Sequence, residues 1–239
     1  MLPRTAAELA RYLDHTLLTP EATLDEVVGV CRDAIGWGVA AVCISPSWLP
    51  LPAGALSAAA VHDASVKLCT VIGFPSGAHA TVTKAREAAL AVEGGADEID
   101  MVVNLGLVRD ARWGDVEAEV RGVRDAVDRA TRSPAVATSR IVVKAICESA
   151  VLSDAELRAT CKAAVAGGAD FVKTSTGFHK AGGATARAVA IMRETVGEGV
   201  GVKASGGIRA TAAALAMIAA GATRIGTSAT REILAGMPE

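Results

Sequence analysis

Short apolar runs rich in β-branched residues alternate with longer Ala-rich segments along the chain. The short runs predict strands at 12–17, 39–45, 66–72, 98–103, 141–146, 170–174, 200–204 and 223–226. The longer segments, at 24–35, 79–92, 115–130, 154–166, 184–196 and 210–219, have helix-forming composition and apolar positions at a period of 3.6. A less regular connection, 47–61, is interrupted by Pro50 and Pro52. One junction recurs where a helix gives way to a strand: Gly94-Gly95-Ala96-Asp97, Gly167-Gly168-Ala169-Asp170 and Gly221-Ala222-Thr223, with Gly36-Trp37-Gly38-Val39 as a looser copy. Glycine there supplies the left-handed residue that ends a helix.

Eight strands separated by helices argue for a parallel sheet, because parallel neighbours need a crossover between them. Closure into a single (β/α)8 TIM barrel spanning 1–239 is the simplest arrangement, with an open doubly wound sheet as the other. No Gly-x-Gly-x-x-Gly follows the first strand, which counts against the dinucleotide-binding form of the open sheet. Hydrophobic residues make up 51% of the chain but aromatics only 3%, so the core must be built from Ala, Val, Ile and Leu.

A formal charge of -2 with mixed signs leaves no basic stripe for nucleic acid. The opening Met1-Leu2-Pro3-Arg4-Thr5 lacks the apolar stretch of a secretory signal, and no apolar run approaches the roughly 20 residues of a membrane span. A soluble, cytoplasmic protein is expected. Cys31, Cys43, Cys69, Cys147 and Cys161 are odd in number and match no zinc spacing, which predicts reduced, buried thiols. His15, His62, His79 and His179 form no His-x-x-x-His pair, so no catalytic metal is expected.

Two lysines stand inside runs that otherwise read as buried strand: Lys173 in Phe171-Val172-Lys173-Thr174-Ser175 and Lys203 in Val202-Lys203-Ala204-Ser205. Burial lowers a lysine's pKa, a second ammonium lowers it further, and a neutral amine attacks carbonyls. Alternatively, each lysine ends its strand and extends to solvent. Asp100, between Ile99 and Met101, is costly to bury unless paired, so it is either a salt-bridge partner or a proton-transfer group. Lys144 is a third strand lysine, for which neutralisation by Glu148 is the expected structural role. After the seventh and eighth strands, Ser205-Gly206-Gly207-Ile208-Arg209 and Gly226-Thr227-Ser228-Ala229-Thr230 offer small residues whose N–H groups can approach an anion. Barrel enzymes often bind phosphate there, which suggests a phosphorylated substrate.

These residues bring a family resemblance into view. Leu13-Asp14-His15-Thr16-Leu17-Leu18, Gly73-Phe74-Pro75, Gly95-Ala96-Asp97-Glu98-Ile99-Asp100, Lys173-Thr174-Ser175-Thr176-Gly177-Phe178, Lys203-Ala204-Ser205-Gly206-Gly207 and Gly226-Thr227-Ser228 together resemble the deoxyribose-phosphate aldolases, in order along nearly the whole chain. The resemblance implies a metal-free and cofactor-free class I aldolase that reversibly cleaves 2-deoxy-D-ribose 5-phosphate to acetaldehyde and D-glyceraldehyde 3-phosphate. It assigns the Schiff base to Lys173, its perturbation and a share of proton transfer to Lys203, and acid/base chemistry to Asp100. Thr16 and Thr176 match substrate-contacting hydroxyls, and Gly206, Gly207 and Ser228 match phosphate contacts. Cys43 matches a position near the pocket, and family habit implies a homodimer. Another Schiff-base sugar-phosphate lyase, or a silent phosphometabolite-binding barrel, are the alternatives. Two departures stand out: several family members end in tyrosine where this sequence reads Gly236-Met237-Pro238-Glu239, and Cys147-Glu148-Ser149 replaces a more usual aliphatic-Glu-Thr.

Overall fold

The computed structural model describes residues 2–51, 61, 65–132 and 140–238. Eight strands close into a parallel barrel in chain order: β1 (Leu13–Leu17), β2 (Ala41–Ile44), β3 (Lys67–Ile72), β4 (Glu98–Val102), β5 (Val142–Ile146), β6 (Phe171–Lys173), β7 (Gly201–Ser205) and β8 (Arg224–Thr227). Pairing of Asp14 with Gly226 joins β1 to β8 and closes the ring, which rules out the open doubly wound sheet. Among the described residues the helices are α1 (Ala6–Ala10), α2 (Leu24–Trp37), α3 (Thr81–Glu93), α4 (Leu105–Arg109), α5 (Trp113–Thr131), α6 (Asp154–Ala166), α7 (Ala186–Val196), α8 (Thr211–Ala219) and α9 (Thr230–Ala235). None of them is long and apolar enough to cross a membrane.

Each expected strand and helix is present, with ends shifted by a residue or two. The short α1 and α4 carry too few turns for a period of 3.6 to be legible. Much of the irregular 47–61 connection lies outside the described residues, which retain a 3-10 turn at Pro46–Trp48. Local chemistry sets several boundaries. Thr23 and Ser153 each open a helix through a capping box, their hydroxyls accepting from the N–H of Glu26 and Glu156 while those carboxylates reach back.

The repeated glycine junction does more than stop helices. In two copies the second glycine is left-handed, with φ of 94° at Gly95 and 97° at Gly168. The polar residue that follows then turns onto the preceding strand. Asp97 accepts from Leu68 N at 2.8 Å, Asp170 from Val143 N at 2.9 Å and Thr223 from Val202 N at 3.2 Å. Each of these bonds satisfies an N–H at the N-terminal end of the barrel.

Alternation along the strands separates two environments. Leu13, Val42, Ile44, Leu68, Ile99, Met101, Val143, Val172, Val202 and Ile225 belong to the large apolar core shared with the helices. Ala41, Cys43, Cys69 and Val71 form a smaller cluster with Leu18, against which Phe74 packs. Barrel interiors are usually filled by branched aliphatic side chains, but here much of the same face carries buried charge. Gly201 makes room for the neighbouring Phe171 ring, which a Cβ at Gly201 would meet at 2.1 Å. The Arg224 guanidinium lies 5.7 Å from that ring's centroid.

Removing one junction acceptor should expose its strand donor's cost. Asp97→Ala is expected to lower unfolding free energy by about 1–3 kcal/mol, with Asp97→Asn retaining most of the stability. Denaturant midpoints of the three proteins check this.

Candidate active site

Seven charged side chains from six strands form one connected network inside the barrel. Asp100 on β4 lies at its centre. Its Oδ1 accepts from Lys144 Nζ at 2.7 Å, and its Oδ2 accepts from both Lys173 Nζ, at 2.8 Å, and Lys203 Nζ, at 2.7 Å. Lys144 also meets Glu98 Oε2 at 2.7 Å, and Lys203 meets Asp14 Oδ2 at 2.5 Å. Arg224 joins the remaining carboxylates, 2.6 Å from Asp14 Oδ1 and 3.1 Å from Glu98 Oε2. These contacts follow from register, because Asp100 pairs with Lys144 and Lys173 with Lys203 on adjacent parallel strands.

The network resets the ionisation of its members. Burial alone would raise the Asp100 pKa, yet the surrounding lysines hold it well below the ordinary carboxylate range. Asp14 is likewise buried and is held down at about 2 by Arg224, Lys203 and Lys144. Burial disfavours the charge on Lys203, but Asp100 and Asp14 outweigh it and move the pKa up. This corrects the sequence expectation that burial would lower it. The carboxylates could not be placed beside Lys203 from spacing, since Asp14 lies across the barrel closure.

A second correction concerns Lys144. Its partners are Glu98 and Asp100, both from β4, rather than Glu148 from its own strand end. Glu148 follows β5 with left-handed backbone, φ 54°, and bonds Thr176 instead. Asp14, Glu98 and Arg224 were not singled out in the sequence as members of the site. The available signal was inward phase for two of them, since Glu98 lies two strand positions before Asp100 and Arg224 stands opposite Lys203, whereas Asp14 stands opposite Ala41 and Gly226.

Above the network opens a cavity of about 200 Å³ lined by Thr16, Lys173, Thr176, Gly177, Phe178, Ser205, Gly206, Gly207, Arg209 and Ser228, among others. All five expected substrate-contact positions therefore border one space with Lys173. Lys203 and Asp100 are not among its lining residues and lie beneath it, fully buried. Gly206 and Gly207 have φ of 91° and 81°, left-handed conformations that shape the loop beside the cavity. Gly206 also packs so closely on Gly183 that a Cβ would meet its Cα at 2.9 Å. The exposed Arg209 adds a cation to this wall.

Cys43 and Cys69 are neighbours across β2 and β3, and all five cysteines are buried and free. The Cys69 hydrogen bond lowers the Cys43 pKa, while burial and the Cys43 bond raise that of Cys69. Donor atoms of Cys43, Cys69 and Asp100 lie within 4.8 Å of one another, as do those of Asp14, Cys69 and Glu98. Lysine ammoniums already occupy the Asp100 and Asp14 oxygens, so a metal ion would have to displace them.

The geometry agrees with what the chain is similar to. The pattern of the DeoC/LacD family aldolase matches residues 9–236. A deoxyribose-phosphate aldolase from Kocuria rhizophila is 52% identical over 235 residues, covering 98% of each chain. Deoxyribose-phosphate aldolase 1 from Bacillus licheniformis is 47% identical over 230 residues, covering 96% of each. Among solved structures, the deoxyribose phosphate aldolase of Aeropyrum pernix, described as tetrameric, superposes with a TM-score of 0.83 at 33% identity. It covers 97% of this chain and 92% of its own.

The depressed Asp14 pKa has a signed consequence. A carboxyl held at about 2 when folded and near 3.9 when unfolded contributes stability that is complete above pH 4 and lost as pH falls toward 2. Asp14→Asn should therefore be clearly less stable than the parent at pH 7, by on the order of 2 kcal/mol or more. The gap should close between about pH 4 and 2, as read from denaturant unfolding across that range.

Proposed function

Because this chain belongs to the DeoC/LacD family of aldolases, we propose that it is a class I deoxyribose-phosphate aldolase in which Lys173 forms the Schiff base. The observation that carries the reading is the uneven sharing of carboxylates among the three buried lysines. Among the described residues Lys144 and Lys203 each contact two carboxylates, whereas Lys173 contacts only Asp100, through an oxygen it shares with Lys203. The connected network contains three acids, Asp14, Glu98 and Asp100, and four bases, Lys144, Lys173, Lys203 and Arg224. Charge balances when one base is neutral. Lys173 is the base with the fewest carboxylates, and it alone of the three lysines borders the cavity.

Neutral Lys173 then attacks the C1 aldehyde of open-chain 2-deoxy-D-ribose 5-phosphate, and loss of water gives an iminium. The iminium draws electrons from the C2–C3 bond as the C3 hydroxyl loses its proton. D-Glyceraldehyde 3-phosphate leaves, and the enamine of acetaldehyde remains on Lys173. Asp100 and Lys203, beside the same amine, are the proposed proton carriers for this step and for enamine protonation. Hydrolysis of the last imine restores the lysine. Gly206, Gly207 and Ser228 hold the phosphate, with Thr16 and Thr176 along the chain between, so that C1 is presented to the amine. The same proposal includes a homodimer, on family habit, and the cytoplasmic location expected from the sequence.

Borohydride reduction in the presence of acetaldehyde should add one ethyl group at Lys173, located by peptide mass. Lys173→Ala should abolish both the adduct and turnover. Asp100→Asn should lower kcat by about 10²–10⁴. A Lys173→Ala protein with near-native rates sinks the covalent mechanism. An unlabelled but folded parent protein would favour a phosphometabolite-binding barrel, and labelling without cleavage of deoxyribose phosphate would favour a different Schiff-base lyase.

A further inference from the structure

Glu148 is a buried carboxylate, 2% exposed, that the proposed reaction leaves unused. Among the described residues it has no cationic partner, and its backbone stands in the left-handed region at φ 54° and ψ 56°. A residue with a Cβ is held in that conformation only when its surroundings compensate, and such positions cluster at functional sites. The contacts made from it converge on one residue. Both Glu148 oxygens accept from Thr176 N at 3.3 Å, and Oε2 also lies 2.5 Å from Thr176 Oγ1. Next to it, Ser149 N donates to Thr174 O at 2.7 Å, fastening the same loop.

Hydrogen-bond bookkeeping gives this contact a direction. A hydroxyl has one proton and two lone pairs, whereas an ionised carboxylate can only accept. The Thr176 proton is then committed to Glu148, and one lone pair of Oγ1 is taken by Phe178 N at 3.1 Å. One lone pair remains, and Thr176 borders the cavity. We propose that Glu148 is a positioning residue that fixes Thr176 as an obligate acceptor toward the substrate, so that the site selects acceptor aldehydes carrying a hydroxyl donor next to the carbonyl.

The inference rests on the aldolase reading, which also identifies the hydroxyl. C1 is at Lys173, the C3 hydroxyl faces Asp100 and Lys203, and the phosphate is at Gly206 and Gly207. Thr176 lies between these ends in the chain path, because it follows Lys173 by three residues and the adjoining Gly177 packs on Gly206. The hydroxyl left for it is that on C4, which is the C2 hydroxyl of glyceraldehyde 3-phosphate in the reverse reaction. A carboxylate behind the threonine also strengthens the acceptor, since its hydroxyl is polarised by a charge-assisted bond.

The test uses the addition direction, with acetaldehyde as donor and three acceptors: D-glyceraldehyde 3-phosphate, its analogue lacking the C2 hydroxyl, and the analogue with fluorine at C2. The parent enzyme should prefer the hydroxyl acceptor over both analogues by more than about tenfold in kcat/KM. Fluorine can accept but not donate, so it should give no rescue. In Glu148→Gln the amide oxygen can accept from Thr176 N while the amide N–H₂ faces Oγ1, which releases the threonine proton toward the cavity. The preference for the hydroxyl over the fluoro acceptor should then fall by about tenfold or more, and Thr176→Val should lose it as well. A purely structural role would lower all three rates together and leave their ratios unchanged.

Unchanged ratios in folded Glu148→Gln overturn the proposal, as does a parent enzyme that uses the fluoro acceptor as well as the natural one. The second measurement decides the matter even where a variant does not fold. Failure of the aldolase reading is distinct: the parent enzyme would then neither add acetaldehyde to any acceptor nor give the reduced adduct at Lys173.

Discussion

Asp100 is a carboxylate fully removed from water at the centre of the barrel, and three lysine amines from three successive strands converge on its two oxygens. Every other charge in the interior is placed by its relation to that group. Lys144 and Lys203 bridge outward from it to Glu98 and Asp14, and Arg224 links those two carboxylates. Desolvation costs several kcal/mol for each buried ion, and mutual attraction recovers it only with good geometry and nearly complete pairing. Removing one member leaves its partners uncompensated, so the ring acts as a unit. It also needs a closed barrel, because the Arg224 contact to Asp14 crosses from β8 to β1.

An ionic interior is a weak source of stability compared with an aliphatic one of the same volume. The outer face of the same strands supplies what the inner face lacks. Ile99 and Met101 flank Asp100 in sequence and are fully buried in the core shared with the helices, as are Val143 beside Lys144 and Val202 beside Lys203. The end of β4 is held from outside as well. Lys84 on α3 donates to Val102 O at 2.8 Å and to Glu119 at 2.7 Å, and Glu119 accepts from Asn104 N at 2.9 Å. Asp100 thus sits on a strand fixed on both faces, as a group needs when it must hold three lysine amines within hydrogen-bond distance.

The elements were legible because the two periods, 2 and 3.6, are clean in a chain with so few aromatics, and because glycine marks the helix ends. The central lysines and Asp100 were legible for a different reason: a charge between Ile99 and Met101, or after Phe171-Val172, breaks the local apolar pattern. Partner choice was not legible. Glu148 is four residues from Lys144 and looked like its counter-ion, yet strand geometry carries it past the barrel end and turns it toward Thr176. Glu98 and Asp14 do pair with lysines, but they lie on other strands, and only parallel register brings them there. Charge sign on Lys203 followed from the same blind spot, since burial alone predicts a lowered pKa and the unseen carboxylates reverse it.

In the proposed mechanism, with its single reacting amine, Lys144 accounts for the presence of three lysines. If Asp100 faced only Lys173, their attraction would hold the proton on that amine and suppress its attack on a carbonyl. Sharing the carboxylate with Lys144 and Lys203 satisfies both of its oxygens from below, so that the uncharged amine the proposed mechanism needs does not strand a buried anion. Asp100, Glu98 and Asp14 in turn keep those two lysines charged in a place where desolvation would otherwise discharge them, while Arg224 pairs with Asp14 and Glu98. The cations that cannot reach the cavity are the ones given two carboxylates each, and the amine that can reach it is given half of one oxygen. That asymmetry, rather than burial of any one lysine, is the ground on which Lys173 is proposed for covalent chemistry.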